Sequence, residues 1–222
     1  MTFYCGKLQA VKPIIMKVAV AKALANSHSY IGYRRIISDL LQEGKSSGNT
    51  QSDELTHYSL LNETRMNRLD KTMVVSEEVI LKMLNIRKNY IWLVLSEGWC
   101  GDAAQILPIL NKMAVLTPNI ELKIAFRDQN EGLMNRLLTN GSRSIPKLIL
   151  LDAETFAVCG SWGPRPKGGM HLIKSYKEQY GTIDETAKTE LQLWYLHDKG
   201  LSVQNEIVAL LEEAEAALYA KR

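Results

Sequence analysis

The chain has 222 residues, 46% of them hydrophobic, and carries a net charge of +3. That is enough apolar material for one substantial core, or one core with a helical appendage, and too little charge to argue for nucleic acid or an anionic membrane as a partner. No apolar stretch approaches the ~20 residues that span a bilayer, and Cys5, Cys100 and Cys159 are too few and too scattered for the disulfide framework of a small secreted domain.

At the N-terminus, Pro13-Ile14-Ile15-Met16 followed by Ala23-Leu24-Ala25 loosely mimics an export signal with a small-residue cleavage site. Lys17 and Lys22 interrupt the apolar region, so the expectation is a cytoplasmic protein in which residues 1–15 are an unstructured leader. Tyr30, Tyr33, Ile37, Leu40 and Leu41 recur at helical spacing and stop at Gly44. Lys45 to Gln51 reads as an exposed polar loop. Ser52-Asp53-Glu54 is a helix start, with Leu55, Tyr58, Leu61, Met66 and Leu69 carrying one or two helices to Asp70. Ser76-Glu77-Glu78 opens another, with Val79, Ile80, Met83 and Leu84 facing inward.

Tyr90 to Leu95 is an unbroken apolar run, the pattern of a strand buried on both faces. From Ala103 the apolar residues fall at helical spacing as far as Thr117-Pro118. Between the two lies Trp99-Cys100-Gly101-Asp102-Ala103, which puts Cys100 at a strand-to-helix turn. Unpaired N–H groups and the positive end of the helix dipole favour a thiolate there, and the thiolate is the reactive form of cysteine. Asp102 opposes this: its own negative charge sits at the same helix start, and the expectation is a thiol less activated than its position alone implies.

Trp99-Cys100-Gly101 resembles the first three positions of the thioredoxin active-site signature Trp-Cys-Gly-Pro-Cys. Ser144-Ile145-Pro146, followed by the apolar run Lys147 to Leu151, is similar to that family's cis-proline strand and lies 46 residues after Cys100. Ile124 to Asn130 is similar to its central strand and following turn. The resemblance covers roughly residues 74–180. It implies an α/β fold, a thioredoxin-like mixed sheet flanked by helices. To this are added an N-terminal helical region over 1–73 and, after the domain that begins at 74, C-terminal helices reaching residue 222. Asp102 stands where the family has proline and Ala103 where it has the second cysteine, which excludes a dithiol cycle within the motif. Val94 occupies the place of an aspartate that many thioredoxins bury.

Thr155 to Gly160 suits a last antiparallel strand, with Cys159 in its apolar core. Trp162-Gly163-Pro164-Arg165-Pro166 follows, and the resemblance places Gly163 beside the cysteine and the cis-proline. Arg165, and with it Arg143, is a candidate to grip a substrate carboxylate or phosphate. Helical patterns at about 184–198 and 202–220, separated by Gly200, close the chain. His28, His57, His171 and His197 lack ligand spacing, so neither a metal site nor a cofactor is expected.

Besides a third, iron–sulfur binding through Cys100 in a dimer as in single-cysteine glutaredoxins, two functional readings stay open. In one, Cys100 is a single catalytic thiol that exchanges with mixed disulfides of a protein or low-molecular-weight thiol. In the other, the fold is a peptide-binding module without thiol chemistry. Substrate contacts are expected on Trp99, Gly101, Asp102, Ile145, Pro146, Trp162, Gly163 and Arg165, the binding-module reading resting on the groove around Trp99, Pro146 and Trp162. Neither fixes the oligomeric state.

Overall fold

A computed structural model describes the backbone of residues 4–219 and side chains from 14 to 217. Helices α1 (Tyr4–Ala25), α2 (Tyr30–Gln42), α3 (Asp53–Thr72) and α4 (Glu77–Leu84) precede the sheet. Then come β1 (Tyr90–Ser96), α5 (Gly101–Ala114), β2 (Ile120–Phe126), the single turn α6 (Glu131–Met134), β3 (Lys147–Asp152) and β4 (Val158–Trp162). Helices α7 (Lys167–Tyr180), α8 (Glu185–Asp198) and α9 (Leu201–Tyr219) follow. The expected α/β architecture, a mixed sheet flanked by helices, is what forms.

The sheet has the order β2-β1-β3-β4, with β1 parallel to β2 and antiparallel to β3, and β3 antiparallel to β4. Every residue of β1 and β3 is buried, which is why both read as continuous apolar runs rather than alternating ones. On α5, Ile106, Leu107, Ile109, Leu110 and Met113 are no more than 2% exposed. Each contributes about 1.5–3 kcal/mol by leaving water. Helix α5 packs between α3 and α9 and against β2, while α1 and α2 lie against β2 and α9 against β4. One core unites these elements, from Val20 and Tyr33 near the N-terminus to Leu211 in α9. Among the described residues no helix is long and apolar enough to cross a membrane.

Side chains that compete for backbone donors begin the helices. Ser29, Ser52, Ser76 and Asp184 each accept from the N–H three residues on, supplying an acceptor that the first turn otherwise lacks. Outside β2, His28 and Ile124 exchange two backbone hydrogen bonds of 2.8 Å.

Some sequence expectations are corrected. Ser46 and Ser47, read as part of an exposed loop, are 2% and 5% exposed, because that loop folds against the turn after β1. Leu84 faces solvent rather than the core. The last strand begins at Val158, not Thr155, because Asp152 accepts from the N–H groups of Glu154 and Thr155 and closes a turn there. Cys159 is exposed on that edge strand instead of buried. Leu150 pairs with Gly160 and Leu151 with Val158, a bulge that adds Cys159 to β4. Helix α7 was not legible, since Gly168-Gly169 near its start discourages a helix reading.

Candidate functional site

Cys100 caps α5. Its Sγ accepts from the N–H of Ala103 at 3.5 Å, and its S–H donates to the carbonyl of Ile145 at 3.3 Å. The Ile145–Pro146 peptide is cis and brings this carbonyl to the helix start. The thiol is 7% exposed. Burial pushes it up to about 12, the Asp102 charge adds to the rise, and the N–H groups of Ala103 and Asp102 offset only part of it. The positive end of the helix is therefore outweighed by desolvation.

Asp102 is held from two sides. Arg165 Nε donates to its Oδ2 at 2.8 Å, and the Tyr195 hydroxyl donates to its Oδ1 at 2.8 Å. Arg165 is thus committed to a carboxylate of its own chain. Gly163, at φ +112°, sits so close to the proline strand that a Cβ would lie 2.3 Å from the Pro146 carbonyl oxygen. Only glycine fits there.

Trp99, Cys100, Gly101, Asp102, Ile145 and Arg165 line one cavity of about 350 Å³, together with Arg127, Arg143, Ser144 and Pro164. Trp162 is not among its walls: the indole N–H turns to α9 and donates to Glu206 at 2.7 Å. Cys159 neighbours Lys88, Tyr90 and Ala157 at the far end of the sheet. A strand of seven residues, about 20 Å long, separates that end from Cys100.

Sequence reasoning missed a buried carboxylate beneath the motif. Glu97 is fully buried; it accepts from the Ser47 hydroxyl at 2.5 Å and from the Asp128 N–H at 3.0 Å. Burial raises its carboxyl above the usual range, and these hydrogen bonds reverse only part of the rise. Ser47 also accepts from Gly98 N–H at 2.8 Å, and its carbonyl accepts from the Trp99 indole at 3.1 Å. Arg127 lies over the Trp99 ring, 4.9 Å from its centre, and donates to Asp128. Trp99 is therefore clamped between the 45–51 loop and Arg127. Nothing in a Ser-Gly-Asn string announces such burial; the one signal was a glutamate directly after an apolar strand.

A thioredoxin family model matches residues 48–178, more than half of the chain. The chain belongs to the thioredoxin family. No curated protein matches it. Among solved structures, this thioredoxin-family chain is similar to an HIV epitope-scaffold protein, at 21% identity over 83% of this chain and 98% of that one, with a TM-score of 0.51. It is also similar to a protein of unknown function from Pseudomonas aeruginosa, at 22% identity over 84% and 99% of the two chains, with a TM-score of 0.49. At these identities the first likeness speaks to the fold alone.

Proposed function

We propose that this thioredoxin-family chain is a binding module that holds an extended peptide in the groove beside Trp99 and the Ile145–Pro146 strand, with Cys100 as a structural cap. The observation that carries this reading is the state of the thiol: buried, donating to Ile145 and accepting from Ala103. A thiol committed in this way, beside the Asp102 carboxylate, stays protonated at neutral pH and is a poor nucleophile. The 45–51 loop, fastened to Glu97 and Trp99, stiffens one flank of the groove. An extended peptide would pair with the backbone of Arg143 and Ser144, which precede the buried Ile145–Pro146 peptide, while its side chains enter the cavity.

The test combines exchange and binding. A glutathionylated peptide is incubated with excess glutathione and either the wild-type chain or Cys100→Ala. The expected outcome is equal, uncatalysed release by both, alongside equal retention of peptides selected from a displayed library. Acceleration by wild type that vanishes in Cys100→Ala overturns the binding-module reading.

That result would establish the second reading, which rests on Cys100 lining the 350 Å³ cavity with Arg127, Arg143 and Arg165. There the Cys100 thiolate attacks one sulfur of a mixed disulfide, a new S–S bond forms, and the other sulfur leaves as thiolate. An external thiol of a reducing compartment such as the cytoplasm then attacks the Cys100 disulfide and restores it. Arg143, whose pair with Glu131 at 3.4 Å is exposed, is the arginine best placed to turn to a carboxylate on such a thiol substrate, since Arg165 and Arg127 are held by Asp102 and Asp128.

A further inference from the structure

A second cavity, about 430 Å³, opens on the other side of the motif between α3, the start of α5 and α8. Three cations line it, and two are already neutralised: Arg165 by Asp102 at 2.8 Å and Lys188 by Glu185 at 2.6 Å. Arg65 is different. Half-buried, it donates from Nη1 to the Asn62 side chain at 2.8 Å and has no ion pair among the described residues. Burial lowers its pKa, the mark of a cation whose water has been removed without a counter-charge.

A second donor converges on the same place. Gln192 Oε1 accepts from Gln105 Nε2 at 2.7 Å, which leaves the Gln192 amide N–H groups directed elsewhere. The nearest atoms to the open face of Gly101 are Arg65 Nη1 and Gln192 Nε2, at 3.5 and 3.7 Å from where a Cβ would stand. Neither Arg65 Nε and Nη2 nor Gln192 Nε2 has an acceptor within the described residues. Leu55, Leu61 and Leu191 supply apolar wall beside these donors, while the two carboxylates of the cavity, Asp102 and Glu185, are each taken up by a cation, Arg165 and Lys188. Paired donors over a glycine, with three leucines at one side, match a carboxylate group on an apolar arm.

We propose that this cavity binds such a carboxylate, gripped by Arg65 and Gln192 over Gly101, with its apolar arm against Leu55, Leu61 and Leu191. The site goes beyond the groove reading and needs no role for Cys100. The carboxylate belongs either to a small organic acid or to a peptide C-terminus, and the probes separate the two.

Calorimetric titration of the full chain with hexanoate and with hexanamide, and with Gly-Leu-Phe bearing a free or an amidated C-terminus, tests the site. At least one free acid should bind saturably, and its amide about tenfold or more weaker, since a charge-assisted hydrogen bond is lost. Tight hexanoate binding assigns the site to small acids; binding of the free tripeptide alone assigns it to C-termini. Arg65→Gln should weaken the bound acid about tenfold, while Arg68→Gln, at an exposed cation one turn along α3, leaves it unchanged. The comparison of acid with amide uses the unaltered chain, so it stands even if Arg65→Gln folds poorly. Equal binding of acid and amide, no saturation by either acid, or undiminished binding by a folded Arg65→Gln chain overturns the proposal.

Discussion

Alkylation of Cys100 across pH reads the balance between burial and helix start directly. In a Cys5→Ser, Cys159→Ser background Cys100 is the sole thiol. With its pKa pushed up to about 12, the thiolate fraction at pH 7 is about 10⁻⁵, against about 3 in 100 for a cysteine at ~8.5. Iodoacetamide should therefore label it about three orders of magnitude more slowly than an exposed cysteine, before any steric barrier is counted. Followed by intact-protein mass spectrometry from pH 7 to 10, the rate should climb about tenfold per pH unit without levelling off. Asp102→Asn removes the second contributor to the rise and should speed labelling by about tenfold at most, because burial, the largest contributor, remains. A plateau with its midpoint below pH 9, or a rate at pH 7 equal to that of an unfolded control, would refute the reasoning and return Cys100 to the class of activated thiols.

The same thiol links stability to alkali. Its folded pKa lies above the unfolded value of ~8.5, so its stabilising effect is complete below that pH and is lost toward about 12, at about 1.4 kcal/mol per unit. Urea midpoints measured from pH 8 to 10 should fall less steeply for Cys100→Ala. Asp152 acts in the opposite direction: burial alone would raise its carboxyl, but Lys88 and the N–H groups of Thr155 and Glu154 hold it at about 2. That contribution, about 2 kcal/mol above pH 4, is lost as pH falls from 4 to 2, and Asp152→Asn should flatten this acid limb in urea melts. Gly163→Ala forces a methyl against the Pro146 carbonyl at positive φ and should cost more than about 2 kcal/mol in chemical denaturation; an unchanged midpoint would show that the β4–β3 approach is looser than described. Ser47→Ala removes the partner of Glu97 Oε2 and of the Gly98 N–H, though Glu97 Oε1 keeps the Asp128 N–H, so a loss of about 2 kcal/mol is expected, with faster hydrogen exchange at Gly98.

What could be read from the chain was what is locally encoded. The uninterrupted run of β1, the helical stripe of α5 and the Ser-Glu-Glu start of α4 each follow from spacing and capping within one element. The residues around Cys100 were legible through the Trp-Cys-Gly and Ile-Pro segments. Hidden features depend on partners distant in sequence. Ser47 is buried against residues 97–99, fifty positions later, donating to Glu97 and accepting from Gly98 and Trp99. Arg165 reads as a free anion grip until Asp102, 63 residues earlier, claims it. Cys159 reads as core by its apolar neighbours, but β4 is an edge strand and its bulge turns the residue outward. Arg65 carried no signal at all, since one arginine in a polar helix is ordinary until α8 closes the cavity over it.

The two hydrogen bonds between His28 and Ile124 bear on how the molecule avoids its own kind. Strand β2 ends the sheet on one side, and an open row of N–H and C=O groups is a template for a strand from another copy. His28 occupies that row at its middle, its ring 5.8 Å from Phe126, and α1 and α2 pack against the same strand. A chain trimmed to begin at Tyr30 would keep the Cys100 turn, the whole sheet and α2 against β2, yet lose α1 and the His28 pair that occupies the outer edge of that strand. Its failure would then appear as edge-to-edge aggregation that deepens with protein concentration, while the motif itself stayed intact.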